Sequence, residues 1–375
     1  MKLGEKIKSA GTSVKKQFVR DENGHLPLWG TLKRAGGYVW REGTTYIIFA
    51  VLLIFFTCMN PVFISGSNLY NILTGSTYII IAGMGILFVM MTGGIDLSVG
   101  YIMATAACLA FVMISAGIPV VITILLCVLV GFAMGLVNGF LAAKLKLFPL
   151  IITLATQMIF QGIALTISGG STYYSLPDSF RAIFITEFLG VPMDVWIALI
   201  CVVLAWFVLN KLRFGRDVLA VGGNKECARL SGIKVDLVTM LCYAICGAVF
   251  AFAGMDMIAQ QNSASASSAG IEFTCLTAAI IGGISMMGGK GNVVGLVFGI
   301  FIMQIIANGM QLAGLGSYAQ YIVKGVILIA AVAFDVIKNH PRAKVRVHKD
   351  QAPAVPPAAP PAEEPAKEPA QDAQD

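Results

Sequence analysis

Apolar runs of roughly bilayer length recur along the chain at residues 44–59, 68–91, 97–116, 118–143 and 149–167, and again at 193–211, 237–259, 272–287, 293–313 and 317–337. A helix needs about 20 mostly apolar residues to cross the hydrocarbon core. The pattern therefore predicts an all-α polytopic membrane protein with about ten transmembrane helices. Two polar interruptions divide it. Residues 168–192 form a loop in which Asp178 and Glu187 stand against Arg181. Residues 213–236, RFGRDVLAVGGNKECARLSGIKVD, are the longest charged stretch between the first apolar run and the last.

Charge orients this pattern. Arg213, Arg216, Lys225, Arg229 and Lys234 outnumber Asp217, Glu226 and Asp236 in the second interruption, and loops rich in Lys and Arg stay on the cytoplasmic side. With ten spans and the N-terminus inside, Lys144, Lys146, Lys290 and Lys338 also fall inside. The 168–192 loop and the uncharged 260–270 loop fall outside, and both termini are cytoplasmic. Charged residues make up 12% of the chain, against about 25% in soluble domains. The net charge of +6 thus belongs to topology and not to nucleic-acid binding. Three regions follow: a basic N-terminal arm at 1–43, a permease domain at 44–337 and a disordered, Pro- and Ala-rich tail at 338–375. The arm reads either as an interfacial helix on an anionic leaflet or as a disordered basic segment. No removable signal peptide is expected in it, so the first span is expected to serve as a signal anchor.

Glycine marks places where the helices are not plain rods. Gly282-Gly283 and Gly288-Gly289-Lys290-Gly291 permit close packing or a break, and breaks are tolerated only inside protein or along a wet cavity. Half-helices are expected at 93–100 and 282–291. Spans 2–5 and 7–10 begin on opposite sides, as an inverted repeat requires.

Candidate chemistry is sparse. Asp96, in GGIDLSVG, is the only carboxylate between Glu42 and Asp178. It reads as a cap for span 3 together with Ser98, or as a proton carrier, although no second intramembrane carboxylate is expected to complete a relay. Thr153, Gln157 and Gln161 share one face of span 5, and Gln304, Asn308 and Gln311 one face of span 9. Such rows either line a path for a polyhydroxylated solute or hold helices together. Lys324, within span 10, has three readings: snorkelling, pairing with an outer acid, or facing a cavity. Seven of the eight cysteines fall in apolar runs and the three histidines lie outside them, so neither a metal site nor a disulfide framework is expected. GGISMMGGKG departs from the phosphate-loop pattern at Ile284 and Gly291. No nucleophile, base and orienting acid come together, which argues against catalysis.

Within the central island, Gly222-Gly223 break the chain, Asn224 is placed to cap a short helix over 225–231, and Gly232 suits its stop. So short a helix is marginal alone and must dock, on the protein's own cytoplasmic face or on a second protein.

GGIDLSVG at 93–100, FGRDVLAVGGNKECARLSGIKVD at 214–236, GGISMMGGKGNVVG at 282–295 and SYAQYIVKGVILIAAVAFD at 317–335 together resemble the membrane permease subunits of carbohydrate-uptake ABC transporters, the ribose, galactoside and xylose systems among them. The resemblance implies a bacterial inner-membrane permease that pairs with a second copy or a close paralogue, with cytoplasmic ATP-binding subunits and with a periplasmic or lipid-anchored sugar-binding protein. It implies no cofactor on this chain, ATP and Mg being held by the partner. It assigns Arg216, Gly222, Gly223, Asn224, Arg229, Leu230 and Gly232 to a coupling helix seated in the ATPase, and makes Gly94, Asp96, Ser98, Gly289 and Gly291 structural signatures. From the residues alone, a proton-coupled secondary sugar transporter using Asp96 is the alternative, and a passive channel a third.

Overall fold

The structure, a computed structural model, describes residues 43–266, 268 and 270–339; the expectations for the basic N-terminal arm and the Pro-rich tail fall outside them. Helix α1 (Thr44–Met59) leads through a short 3-10 turn into α2 (Gly66–Met91), followed by α3 (Val99–Ser115), α4 (Val120–Ala143) and α5 (Pro149–Ser168). After the first polar interruption come α7 (Met193–Lys211), the paired short helices α8 (Arg213–Gly223) and α9 (Lys225–Leu230), α10 (Val235–Gln261), α11 (Ile271–Ile281), α12 (Val293–Leu312) and α13 (Ser317–Asn339). Seven of these are long and apolar enough to cross a membrane, and α1, α3 and α11 are shorter apolar helices. Each apolar run read from the sequence thus corresponds to one helix.

Two expectations are corrected. The stretches 92–98 and 282–292 are irregular backbone over most of their length and not half-helices. α11 stops at Ile281, six residues short of the apolar run, because Gly283 takes φ +87° and turns the chain out of the helix. The 168–192 interruption is also more than a loop. It holds α6 (Asp178–Ile185), a strand β1 (Tyr173–Tyr174) and a hairpin of β2 (Glu187–Phe188) with β3 (Val191–Pro192). β1 pairs antiparallel with β4 (Ser263–Ala264), so the loops before α6 and before α11 close over one end of the molecule. Phe180 and Phe184 of α6 are fully buried, the latter 5.9 Å from the Phe252 ring of α10 between centroids.

The core is built from α2, α3 and α10. Residues 99–107 of α3 are all buried, as is the second half of α2. α10 packs on α4, α2 and α3, while α2 packs in turn on α12 and α11; likewise α5 lies on α3 and α13 on α11. This exchange of partners is the arrangement an inverted repeat of spans 2–5 and 7–10 produces. Lipid tails are as apolar as leucine, so helices in a membrane are held by close van der Waals contact and not by expulsion of water. The α4–α10 contact shows this: a methyl group on Gly135 would strike the Tyr243 carbonyl oxygen, and one on Gly247 the Gly131 carbonyl oxygen. Between α2 and α12, Asn68 and Asn308 exchange two amide hydrogen bonds of 2.9 Å. α13 is the most exposed of the long helices, with only 6% of its apolar window buried in this chain.

Replacing Gly135 by valine is expected to cost about 1–3 kcal/mol through overpacking at the helix contact. Thermal unfolding of the detergent-solubilised protein measures it; a melting temperature equal to wild type would show that the two helices do not meet there.

Candidate functional site

The polar island folds into two helices instead of one. Leu212 is extended and ends α7; α8 then turns its Gly215, Val218 and Val221 face onto the body and leaves Arg216 exposed. Gly222-Gly223 close α8. Asn224, extended at φ −163°, caps α9 by accepting the backbone N–H groups of Glu226 and Cys227 at 3.0 Å each. Gly232 follows with φ +83°, a left-handed stop. Within α9 only Ala228 is buried, and Leu230 stands 88% exposed. Arg229, itself exposed, lies along the island: it donates to Glu226 at 2.7 Å and lies 4.0 Å from Asp236, which also pairs with Lys144 at 3.7 Å. These bonds tie α9 to the start of α10 and to the α4–α5 loop, leaving Leu230 as the apolar tip.

Behind this element lies a junction of backbone. A Cβ on Gly222 would overlap the Met91 carbonyl oxygen and the Gly289 nitrogen, and Gly289 itself donates to that same Met91 carbonyl at 2.9 Å. Gly288 and Gly289, both at positive φ, are thus wedged between the end of α8 and the end of α2. Gly291 lies against the Met91 methyl, and a side chain on Gly94 would meet the Tyr243 hydroxyl at 2.7 Å. The 282–292 stretch is tied on its far side as well, where the Met286 N–H donates to Asp335 of α13 at 3.3 Å. The end of α8 therefore touches the end of α2 and the 282–292 stretch at once.

Asp96 is fully buried within the first of them. Asn138 donates to the Ser98 hydroxyl at 2.8 Å, and that hydroxyl donates to Asp96 at 2.6 Å, as does the Ser98 N–H at 2.9 Å. Asp96 therefore braces the turn ahead of α3 and does not itself cap the helix, whose N-terminal residue Ser98 makes no side-chain cap bond. The expectation of no second intramembrane carboxylate is also corrected: Asp194, Asp256 and Glu272 are buried in helices α7, α10 and α11. The sequence signal was present for Asp256, a lone acid inside the apolar run 237–259. Asp194 and Glu272 stood at run boundaries, where an acid reads as an ordinary helix start.

Of the polar rows, Gln157 and Gln161 are half-buried on α5, which packs on α3 and α4, whereas Gln304, Asn308 and Gln311 lie on α12. Asn308 is engaged by Asn68, Gln311 is exposed, and Gln304 reaches Gly75 of α2 with its amide nitrogen. The Gln157 carbonyl oxygen is buried and makes no hydrogen bond among the described residues. Lys324 is half-buried on α13 and makes no ion pair among the described residues. No group of three or more potential metal ligands occurs among the described residues.

The junction separates two neighbouring glycines sharply. Gly222→Ala is expected to lower the melting temperature because its methyl has no room, whereas Gly223→Ala, which meets nothing within 4 Å, is expected to leave it unchanged. Equal melting curves for the two purified variants would contradict the packing.

Comparison with known proteins gives the family. The family described as branched-chain amino acid transport system, permease component, matches residues 68–332. The D-allose transport system permease protein AlsC of Escherichia coli (strain K12) is 36% identical over 299 residues, 79% of this chain and 92% of that protein. The ribose import permease protein RbsC of the same organism is 33% identical, over 78% of this chain and 93% of its own length. Its L-arabinose transport system permease protein AraH is 35% identical, over 82% and 94%. No solved structure matches the chain. The buried acids remove one objection to proton coupling, but the relatives decide the class: the chain belongs to the permease subunits of carbohydrate-uptake ABC transporters.

Proposed function

We propose that the chain carries a sugar across the bacterial inner membrane, powered by a separate ATPase that receives α9. The observation that carries this reading is Leu230: an apolar side chain 88% exposed at the end of a capped helix in which only Ala228 is buried. Exposed apolar anchors surrounded by polar groups are the usual centre of a protein interface. The excess of Lys and Arg around it supports a cytoplasmic position for the island and for both termini. The opposite end, closed by β1, β4 and α6, then faces the sugar-binding protein, and a second permease, identical or a close paralogue, completes the membrane unit.

Mechanically, ATP acts only through a difference in affinity between inward- and outward-open states. A pull on α9 passes through its cap into α8, and from Gly222 to the ends of α2 and α11 together. Those ends are irregular backbone, so they take up a change in direction that a continuous helix would resist. The predicted coupling residues divide accordingly: Leu230 and Arg216 face outward to the partner, Asn224, Arg229 and Gly232 shape the helix, and Gly222 and Gly223 transmit its position.

Two measurements test this. Leu230→Asp is expected to reduce ATP-driven sugar uptake at least about tenfold with the amount of inserted permease unchanged; uptake at the wild-type rate would remove α9 as the docking element. In a Cys58→Ser background, Cys227, exposed on α9, is expected to react with a membrane-impermeant maleimide in inside-out vesicles but not in intact spheroplasts. The reverse pattern would invert the topology.

A further inference from the structure

A polar cavity of about 310 Å³ opens between α2, the start of α7 and the end of α10, at the end of the molecule away from the island. Its wall is Tyr70, Asn71, Thr74 and Gly75 of α2, faced by Asp194 and Gln260, with Ile185 and Pro192 completing it. A side chain at Gly75 would meet the Gln304 amide nitrogen of α12 at 2.7 Å. Behind the wall a closed network fixes the Gln260 side chain. Its amide nitrogen donates to the Thr77 hydroxyl at 2.6 Å and to Asp256 at 3.1 Å, and Thr77 donates to the second Asp256 oxygen at 3.0 Å. Gln260 is therefore held with its carbonyl oxygen as the remaining polar end. Asp194 accepts the N–H of its neighbour Val195 at 2.7 Å and also engages the Thr77 hydroxyl, while a carboxylate's two oxygens together offer about four acceptor positions.

We infer that this cavity is the outer loading site for the solute, with Asp194, Asn71 and Gln260 exchanging hydrogen bonds with the hydroxyls of one neutral sugar. The inference rests on the sugar-import reading above. Size supports it, since ligand sites span about 300–1,000 Å³ and this one is at the small end. So does chemistry: carboxylate and amide oxygens accept hydroxyl hydrogens, the amide of Asn71 also donates, and the Tyr70 ring supplies an apolar face for the carbons. No Lys or Arg lines the wall and Asp194 does, so a phosphorylated or acidic sugar is disfavoured by like charge. Asp194 and Asp256 are gathered here and Glu187 approaches Tyr70, but among the described residues no group of three acids is placed to hold a metal ion. The sequence had singled out none of Asp194, Asn71 and Gln260.

The test uses the full transporter, with its ATPase and binding protein, in proteoliposomes supplied with radiolabelled D-ribose, D-allose, D-galactose and L-arabinose in turn. Thr74→Trp fills the cavity from its rim, and Asp194→Asn removes the charge while keeping the shape. Each is expected to lower saturated uptake about tenfold, the effect of losing a hydrogen bond to a charged group, while ATP hydrolysis stimulated by the binding protein stays within about twofold of wild type. Wild-type uptake by both variants would overturn the site while leaving the importer reading intact. Parallel loss of uptake and of stimulated hydrolysis would assign the residues a structural role and overturn it equally. Failure of the wild-type transporter to carry any of the four sugars would remove the sugar reading and the site with it.

Discussion

Everything in this molecule answers to one constraint: a backbone N–H or carbonyl without a partner cannot face lipid. Two stretches, 92–98 and 282–292, leave helical geometry beside the apolar interior, and the fold is arranged to enclose them. α2 and α3 bury the first between them, with Tyr243 of α10 donating to the Ile95 carbonyl at 3.1 Å. The second is held at Met91 on one side and at Asp335 on the other. The outer helices α4, α5, α7 and α13 then need only show lipid an apolar face, which they do.

Enclosure by close packing has a mechanical result. Where backbones meet with only hydrogen atoms between them, as at Gly135 with Gly247 and at Gly222 with Gly289, the contact has little slack. Motion at one partner is displacement at the other, because packed interiors do not deform continuously. The asparagine pair Asn68 and Asn308 adds direction more than strength, such bonds in membranes being worth roughly 0.6 kcal/mol on average. The molecule is therefore stiff in its core and jointed at the two irregular stretches, and α8 presses on that joint.

Much of this was legible in residues. Hydropathy placed the helices to within a few residues because lipid rewards one pattern only, and Asn224 with Gly232 marked α9 because capping chemistry is local. What was not legible depended on distant neighbours. Nothing in RFGRDVLAVGG announces that its apolar residues will share a face against the ends of α2 and α11; that required the fold. α11 looked longer than it is because Met286 and Met287 extend the apolar run past the glycine turn. The polar rows on α5 and α12 looked alike, yet Asn308 is spent on Asn68 while Gln304 lies against Gly75 of α2. Asp194 and Asp256 became a pair only once α7 and α10 were brought to either side of Thr77.

The exposed leucine at the tip of α9 also bears on how such a subunit lives before it has companions. An apolar side chain left in water forgoes roughly 1.5–3 kcal/mol that burial would return, a sizeable fraction of what ordinarily separates folded from unfolded chains. A solitary copy carries that deficit from synthesis onward and is more open to surveillance proteases than an assembled one. Its cellular abundance should consequently rise and fall with the supply of whatever covers the leucine, so that stoichiometry is enforced by turnover as well as by expression.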